Sequence, residues 1–528
     1  MSQTLVGARP LLRAALKQDA RTIAPWIVLI TALSASSVVA YDLVFPDAQS
    51  RAQLAATLGT NPALSLIFGP ARDLMTADGF NAWRAGALGG FFAALMAIFI
   101  VVRNSRADED SGQAELLASG VMGRQTRLAV AMTMAVLASV VLGVVSCLVT
   151  VAVGGGVTNS LALATTFTAS GLMFTGLAGI TAQLGSDART ANSIAVAVLG
   201  VAFITRGYID AGQGPEWTVW LTPLGWLEQV RPATGNNGWP LLLALALAAV
   251  LAAVALALHA RRDFGLGMLA PRRGPARGGR VTTVWGLALR INRGSLISWL
   301  LAFAGLGAVF GFLATSVTDL LGDNPGMAAL IAGGSVTEAG LLFEFLVTIL
   351  RMLGIIAAVF GVQIAMRVYA EEIDYRVEPL LAASLSRTKY LAGNAVIAFV
   401  APAVALLISG TVIALVATEP GISAGDVIVQ TLATVPAVWV IIALALAAVG
   451  ANPRLRLVGW LGVVLTFALT ILGPLFRLWD WVLGISPLWH VPNVTAISPD
   501  WSGLGGVTTL ALVLTAAAFA GFRRRDVS

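Results

Sequence analysis

Leu241 to Leu258 is an unbroken run of eighteen leucines, alanines and valines, and no other feature constrains the chain so tightly. As a helix it is about 27 Å long at 1.5 Å per residue, close to the ~30 Å of bilayer hydrocarbon. It has no polar face. His259, Arg261 and Arg262 follow at once, at the depth where headgroups begin. Composition extends the argument to the whole chain. Of 528 residues, 57% are hydrophobic and 11% charged, at a mean hydropathy of +0.85. Soluble domains are about a quarter charged, so water cannot be the solvent for most of this surface. Further runs of spanning length lie near 23–42, 85–102, 128–153, 160–182, 190–205, 295–318, 346–366, 390–418, 428–449, 457–476 and 503–522. The expected fold class is an all-α polytopic membrane protein with about twelve transmembrane helices, multi-pass in the cell (plasma) membrane.

The charges orient these spans. Lys and Arg number 33, and 26 of them fall on one side when the N-terminus is placed in the cytoplasm. This is the positive-inside pattern, which follows Lys and Arg rather than net charge. Both termini are then cytoplasmic and the span count is even. The pI near 10.1 therefore reports orientation and lipid headgroup contact, not nucleic-acid binding. Arg9, Arg13, Lys17 and Arg21 punctuate the start of the chain and exclude a signal peptide there. Residues 10–21 read instead as an amphipathic surface helix, with Leu11, Leu12, Ala15 and Leu16 expected to face lipid.

The chain compares well with itself at half length. Glu109, Glu115 and Arg124 recur as Glu372, Glu378 and Arg387, each 263 residues on. Thr222-Pro223-Leu224 is answered by Ser486-Pro487-Leu488, and Arg261-Arg262-Asp263 by Arg524-Arg525-Asp526. Trp26 answers Trp299 at a longer offset, which places the extra residues of the first half before its second span. Two tandem six-helix halves are expected, at 1–265 and 285–528. A Pro/Gly/Arg-rich cytoplasmic linker over 266–284 joins them. An even number of spans per half inserts both in the same orientation, with a pathway between them as the natural consequence.

Little catalytic chemistry is present. The two lysines, Lys17 and Lys389, are not preceded by Gly, so the chain has no phosphate-binding G-x-x-x-x-G-K-[ST] loop. One cysteine, Cys147, and two histidines, His259 and His490, provide no metal site. The informative segments are the inner loops 103–127 and 367–389, where acids stand among arginines beside a Leu-Leu pair (Leu116-Leu117, Leu380-Leu381). Orientation alone needs only the arginines. Mixed charge in both halves reads as a short amphipathic docking helix, or else as a solvated loop whose acids pair locally.

An N-terminal surface helix, six spans and a Glu-x5-Glu-Leu-Leu-type loop after the second span make each half resemble the ABC-2-type permeases of ABC exporters. The double-length chain is similar to actinobacterial permeases of the tetronasin-resistance and multidrug efflux type. The resemblance implies that these loops are coupling helices for a separate ATPase, present in two copies, with Glu109, Glu115, Arg124, Glu372, Glu378 and Arg387 at the contact. Pro379, inserted before the second Leu-Leu, shifts the start of the second coupling helix. By the same resemblance the chain is a transport subunit and not an enzyme. It holds no cofactor; ATP and Mg are bound by the partner. Its cargo would be hydrophobic or amphipathic, such as an antibiotic or drug, and 206–239 and 477–501 would form short outer helices. Those two segments are rich in tryptophan, so an aromatic interfacial belt accounts for them equally.

Polar residues in or beside spans mark a possible pathway or vestibule: Arg84, Gln183, Glu344, Arg351 and Gln363. Glu344 and Arg351 are seven apart and share a helix face. Edge residues that snorkel to headgroups fit the same positions. The rival reading is a proton-coupled secondary drug transporter, which needs carboxylates deep in its spans.

Overall fold

The computed structural model describes residues 6–58, 62–112, 122–123, 125–212, 215–263, 265–269, 283–322, 338–383, 385–417, 423–472, 478–496 and 498–525. Glu115 and Arg124 lie outside them. Among the described residues, twelve helices are long and apolar enough to cross a membrane. The chain divides into two units, residues 1–273 and 274–528, with six of these helices in each.

The first unit contains α1 (Ala8–Val44), α2 (Ala48–Leu58), α3 (Pro62–Phe68), α4 (Ala77–Val102), α5 (Thr126–Ala152), α6 (Val157–Leu184), α7 (Ala188–Ala211), α8 (Pro223–Glu228) and α9 (Trp239–Arg261). The second contains α10 (Val284–Gly322), α11 (Glu338–Ile373), α12 (Glu378–Ala382), α13 (Arg387–Val416), α14 (Ala424–Ala451), α15 (Leu457–Phe467) and α16 (Ser502–Arg524). Helix is the answer the bilayer allows, because hydrocarbon offers no partner to a backbone amide.

One expectation is corrected. Residues 10–21 are not a separate surface helix. They continue into the first span as a single helix of 37 residues, and Leu11, Leu12, Ala15 and Leu16 pack on the first unit's core rather than facing lipid. Such a helix is about 55 Å long, so one end must project well beyond ~30 Å of hydrocarbon. Pro25 removes one rung of its ladder near the join, but the flanking turns carry on through it. Asp19 fixes the projecting end. It is buried, accepts a hydrogen bond from Asn104 Nδ2 at 2.6 Å, and pairs with Arg103 at 3.2 Å. The sequence signal for an amphipathic face was sound; the surface it meets is protein.

Each unit has a central pair of helices. Within the window that would span, 61% of α4 and 67% of α6 lie buried, as do 67% of α11 and 72% of α14. The last spans are peripheral, with 11% of α9 and 17% of α16 buried. Leu242, Leu245 and Val250 on α9 are open, apolar surface that only lipid or another apolar helix covers. The same pairs pack in both units: first span on third, second on fourth, fourth on sixth.

Small residues set the spacing. A methyl group on Gly176 of α6 would lie 3.0 Å from the Ala252 amide nitrogen and 3.2 Å from the Ala248 carbonyl of α9. Gly450 of α14 meets Ala518 of α16 at the same level of closeness, 2.5 Å to its carbonyl. These are backbone-to-backbone approaches that a side chain would block.

Candidate functional site

At the end of each unit that carries its first residues, the second span runs out into a charged turn. In the first unit α4 continues as a π-helical turn, Arg103–Ala107, followed by Asp108–Asp110. The wider turn swings Arg106 and Glu109 inward. Glu109 Oε2 accepts from Arg106 at 2.8 Å, and Oε1 from Arg127 at 3.1 Å and from Arg262 at 2.6 Å. Its side chain is 4% exposed, like that of Arg262, and Arg106 is 1% exposed. Arg106 also donates to the carbonyls of Ser186 and Gly265. One carboxylate thus gathers guanidiniums from the ends of the second, third and sixth spans, and Arg106 adds the turn after the fourth.

In the second unit Glu372 occupies the matching place. Arg525, just past α16, donates to it at 2.5 Å, and its Nε donates to the Gly450 carbonyl at 3.0 Å. The pairs Glu109–Arg262 and Glu372–Arg525 are related by the same 263 residues. The surroundings differ. Where the first unit has Arg127, the second has Tyr390, whose hydroxyl donates to Glu371 at 2.8 Å. Buried charge without partners costs several kcal/mol, and here Glu109 and Glu372 are each matched by charge-assisted bonds.

The other expected contact residues are placed as follows. Glu378 is exposed in the first turn of α12, which starts with Pro379 at its first positions. Leu380 and Leu381 pack against the second unit's own core. Arg387 donates to the Arg525 carbonyl at 2.6 Å, so it too holds the end of the sixth span. Glu109 and Glu372 are buried, and any partner would meet the loops around them, not the carboxylates.

The five candidate pathway residues fall two in the first unit (Arg84, Gln183) and three in the second (Glu344, Arg351, Gln363). Gln183 is buried at the charged end, where its Nε2 donates to the Gly179 carbonyl and its Oε1 meets His259 Nδ1 at 2.9 Å. Gln363 is exposed and accepts from Trp299 Nε1 at 3.1 Å. Glu344 and Arg351 form no ion pair with each other; instead Glu344 accepts from Asn493 and Arg351 donates to the Val491 carbonyl. Arg84 is half-buried on α4.

A second charged cluster, not anticipated, lies at the opposite end of the first unit. Arg206 and Asp210, one turn apart on α7, pair at 3.1 Å with side chains 3% and 1% exposed. Glu228, closing α8, stands 3.7 Å from Arg206. Arg206 also caps α3 by donating to the carbonyls of Leu66 and Ile67 at 3.1 and 3.2 Å. Burial pushes the Glu228 carboxyl up to about 8, with neighbouring Asp210 acting in the same direction and Arg206 against it. Gly69, at φ 86°, passes so close that any side chain there would strike Glu228. The i, i+4 spacing of Arg206 and Asp210 was a local signal in the sequence; the approach of Glu228, 22 residues on, was not.

The twelve apolar helices among the described residues, with charge gathered mostly toward their ends, define a multi-pass plasma-membrane protein. A family model described as the multidrug efflux system permease Rv1217c, C-terminal domain, matches residues 48–259 and 281–523. The multidrug efflux system permease protein Rv1217c of Mycobacterium tuberculosis (strain ATCC 25618 / H37Rv) is 37% identical over 537 residues, covering 99% of this chain and 95% of that protein. The chain belongs to this family of multidrug efflux system permeases.

Proposed function

We propose that the protein is the membrane subunit of an ATP-driven ABC exporter of ABC-2 type, with hydrophobic or amphipathic compounds such as antibiotics as cargo. Two copies of a separate ATPase, which bind the ATP and Mg, dock on the loops 103–127 and 367–389. The observation that carries this reading is the repeated latch. Glu109–Arg262 and Glu372–Arg525 tie each loop to the end of a sixth span, while Arg106 reaches the turn after the fourth span of the first unit and Arg525 the last turn of the fourth span of the second. A push on either loop is then transmitted to helix ends rather than absorbed by a slack segment. Both termini would be cytoplasmic, in keeping with the Lys and Arg bias. The name of the relative supports efflux of multiple drugs as the activity.

The test is co-purification of a candidate ATPase subunit with the full chain, comparing wild type with Glu115→Arg/Glu378→Arg. Two ATPase copies per chain, lost in the double variant, are expected. Equal binding by the variant would remove these loops from the interface. One observation favours a second reading, proton-coupled drug transport: Asp210 and Glu228 form a buried carboxylate pair beside a single shared guanidinium. Absence of any ATPase partner, together with drug efflux that collapses with the proton gradient, would select it.

A further inference from the structure

Beside Arg206, a pocket of about 80 Å³ opens at the far end of the first unit. Phe68, Trp83, Phe203 and Leu224 supply apolar walls, and Phe68 and Trp83 pack ring to ring at 5.0 Å. Three guanidiniums line it: Arg72, Arg206 and Arg231. Arg206 is ion-paired with Asp210 and its Nη2 donates to the α3 carbonyls. Arg72 and Arg231 form no ion pair among the described residues, and Arg231 donates only to the neutral Gln229 Oε1, at 2.9 and 3.1 Å.

Among the acids nearby, Asp210 is paired with Arg206, and Glu228, Asp210 and Glu216 favour the charged form of Arg72 without an ion pair to it. Asp73 accepts from the Met75 amide and the Thr76 hydroxyl of its own turn. Glu228 is held largely protonated by burial. Two cations facing one apolar hollow repel each other, and burial and this repulsion together hold the Arg72 guanidinium below its ordinary range. An anion between them relieves both costs.

The backbone over the pocket is also unusual. Arg231, Ala233 and Asn236 all have φ between 48° and 68°, a conformation that side chains other than glycine adopt at a cost. The turn is locked by Asn236, which donates to Asn159, which donates in turn to Asp78. So Arg231 is presented on a rigid, strained loop rather than a slack one.

The charged residues that build the pocket do not recur at the repeat offset. At offsets of 263 and 264, Arg206 meets Leu469 and Thr470, Glu228 meets Val491 and Pro492, and Arg231 meets Val494 and Thr495. The latches recur in both halves, as a device for moving helices must. Since the positions matching Arg206, Glu228 and Arg231 are uncharged, this charge pattern is not part of the repeated latch.

We infer that this pocket is a binding site for an amphiphile with one anionic headgroup, which Arg72 and Arg231 clamp while its apolar chain lies against Phe68, Trp83, Phe203 and Leu224. A membrane lipid and a free anionic amphiphile share this chemistry. The inference does not depend on how transport is energised, because binding is read on the chain alone.

The experiment uses the full chain in a neutral detergent. The probe is 11-(dansylamino)undecanoic acid, titrated against its methyl ester by dansyl fluorescence. Saturable binding of the acid is expected, with the ester at least ten-fold weaker. Arg72→Gln/Arg231→Gln should weaken the acid about ten-fold or more and leave the ester as it was. Gly86→Leu, at a pocket-lining position where an added Cβ would touch Leu163 at 3.8 Å without a clash, should weaken both. Melting midpoints check that the variants fold. Equal binding of acid and ester, or unchanged acid affinity in the double variant, overturns the inference. Native mass spectrometry separates the sources. An anionic phospholipid bound to wild type, displaced by the acid and missing from the double variant, identifies a resident lipid. A pocket that binds the probe but carries no lipid takes a free amphiphile. A chain that binds neither has no such site.

Discussion

Glu109 is the residue on which the charged end of the first unit turns. It is one buried carboxylate among three guanidiniums, so removing its charge should cost more than removing any one of theirs. Glu109→Gln should lower stability by about 3–5 kcal/mol, the range for stripping one partner from a buried ionic cluster. Arg262→Gln, which leaves Glu109 with Arg106 and Arg127, should cost less. Melting midpoints in detergent decide this; a Glu109→Gln midpoint equal to wild type would show the cluster to be solvated. Glu228 makes a different prediction because its folded state keeps a proton. Its carboxyl is raised from 4.5 to about 8 by burial, with Asp210 acting the same way and Arg206 and Arg72 opposing. Between those values the folded form binds more protons than the unfolded one, so stability falls as pH rises through that window. Glu228→Gln should flatten the fall and be well tolerated at pH 7. An unchanged pH dependence in that variant would assign the slope to another group.

At the scale of elements, helix spacing is set by glycine where central and peripheral spans cross. Gly176 on α6 would place a Cβ 2.6 Å from the Leu251 Cβ of α9. Gly176→Val should therefore force α9 outward and cost about 1–3 kcal/mol, as overpacking does. Gly200 on α7 has nothing within 4 Å, so Gly200→Ala should be neutral or slightly stabilising. Equal effects at the two sites, measured by melting, would show that α6 and α9 do not meet as described. The existence of these helices was legible from hydropathy alone, because a spanning run announces itself within some twenty residues. Their ends were less so. The expected break between a surface helix at 10–21 and the first span is absent, since the apolar face of that segment found the body of the unit to pack on. Likewise Leu380 and Leu381 turned inward, where mixed charge alone had suggested an outward docking face.

At the scale of the whole molecule, local and long-range information divide cleanly. The sequence by itself determined the solvent, the number of spans and the places where charge gathers, because bilayer insertion depends on runs of about twenty residues and on the Lys and Arg beside them. It also held, at an offset of 263, both members of each latch: Glu109 and Arg262, Glu372 and Arg525. It did not show that they touch. That pairing joins residues 153 apart, and only the packing of the sixth span on the fourth brings Arg262 and Arg525 to their carboxylates. In the cluster of Arg206, Asp210 and Glu228, likewise, the i, i+4 pair is local but the approach of Glu228 is not. A carboxylate's neighbours, its burial and its proton are decided by which helix ends meet in three dimensions, and no window of sequence contains that.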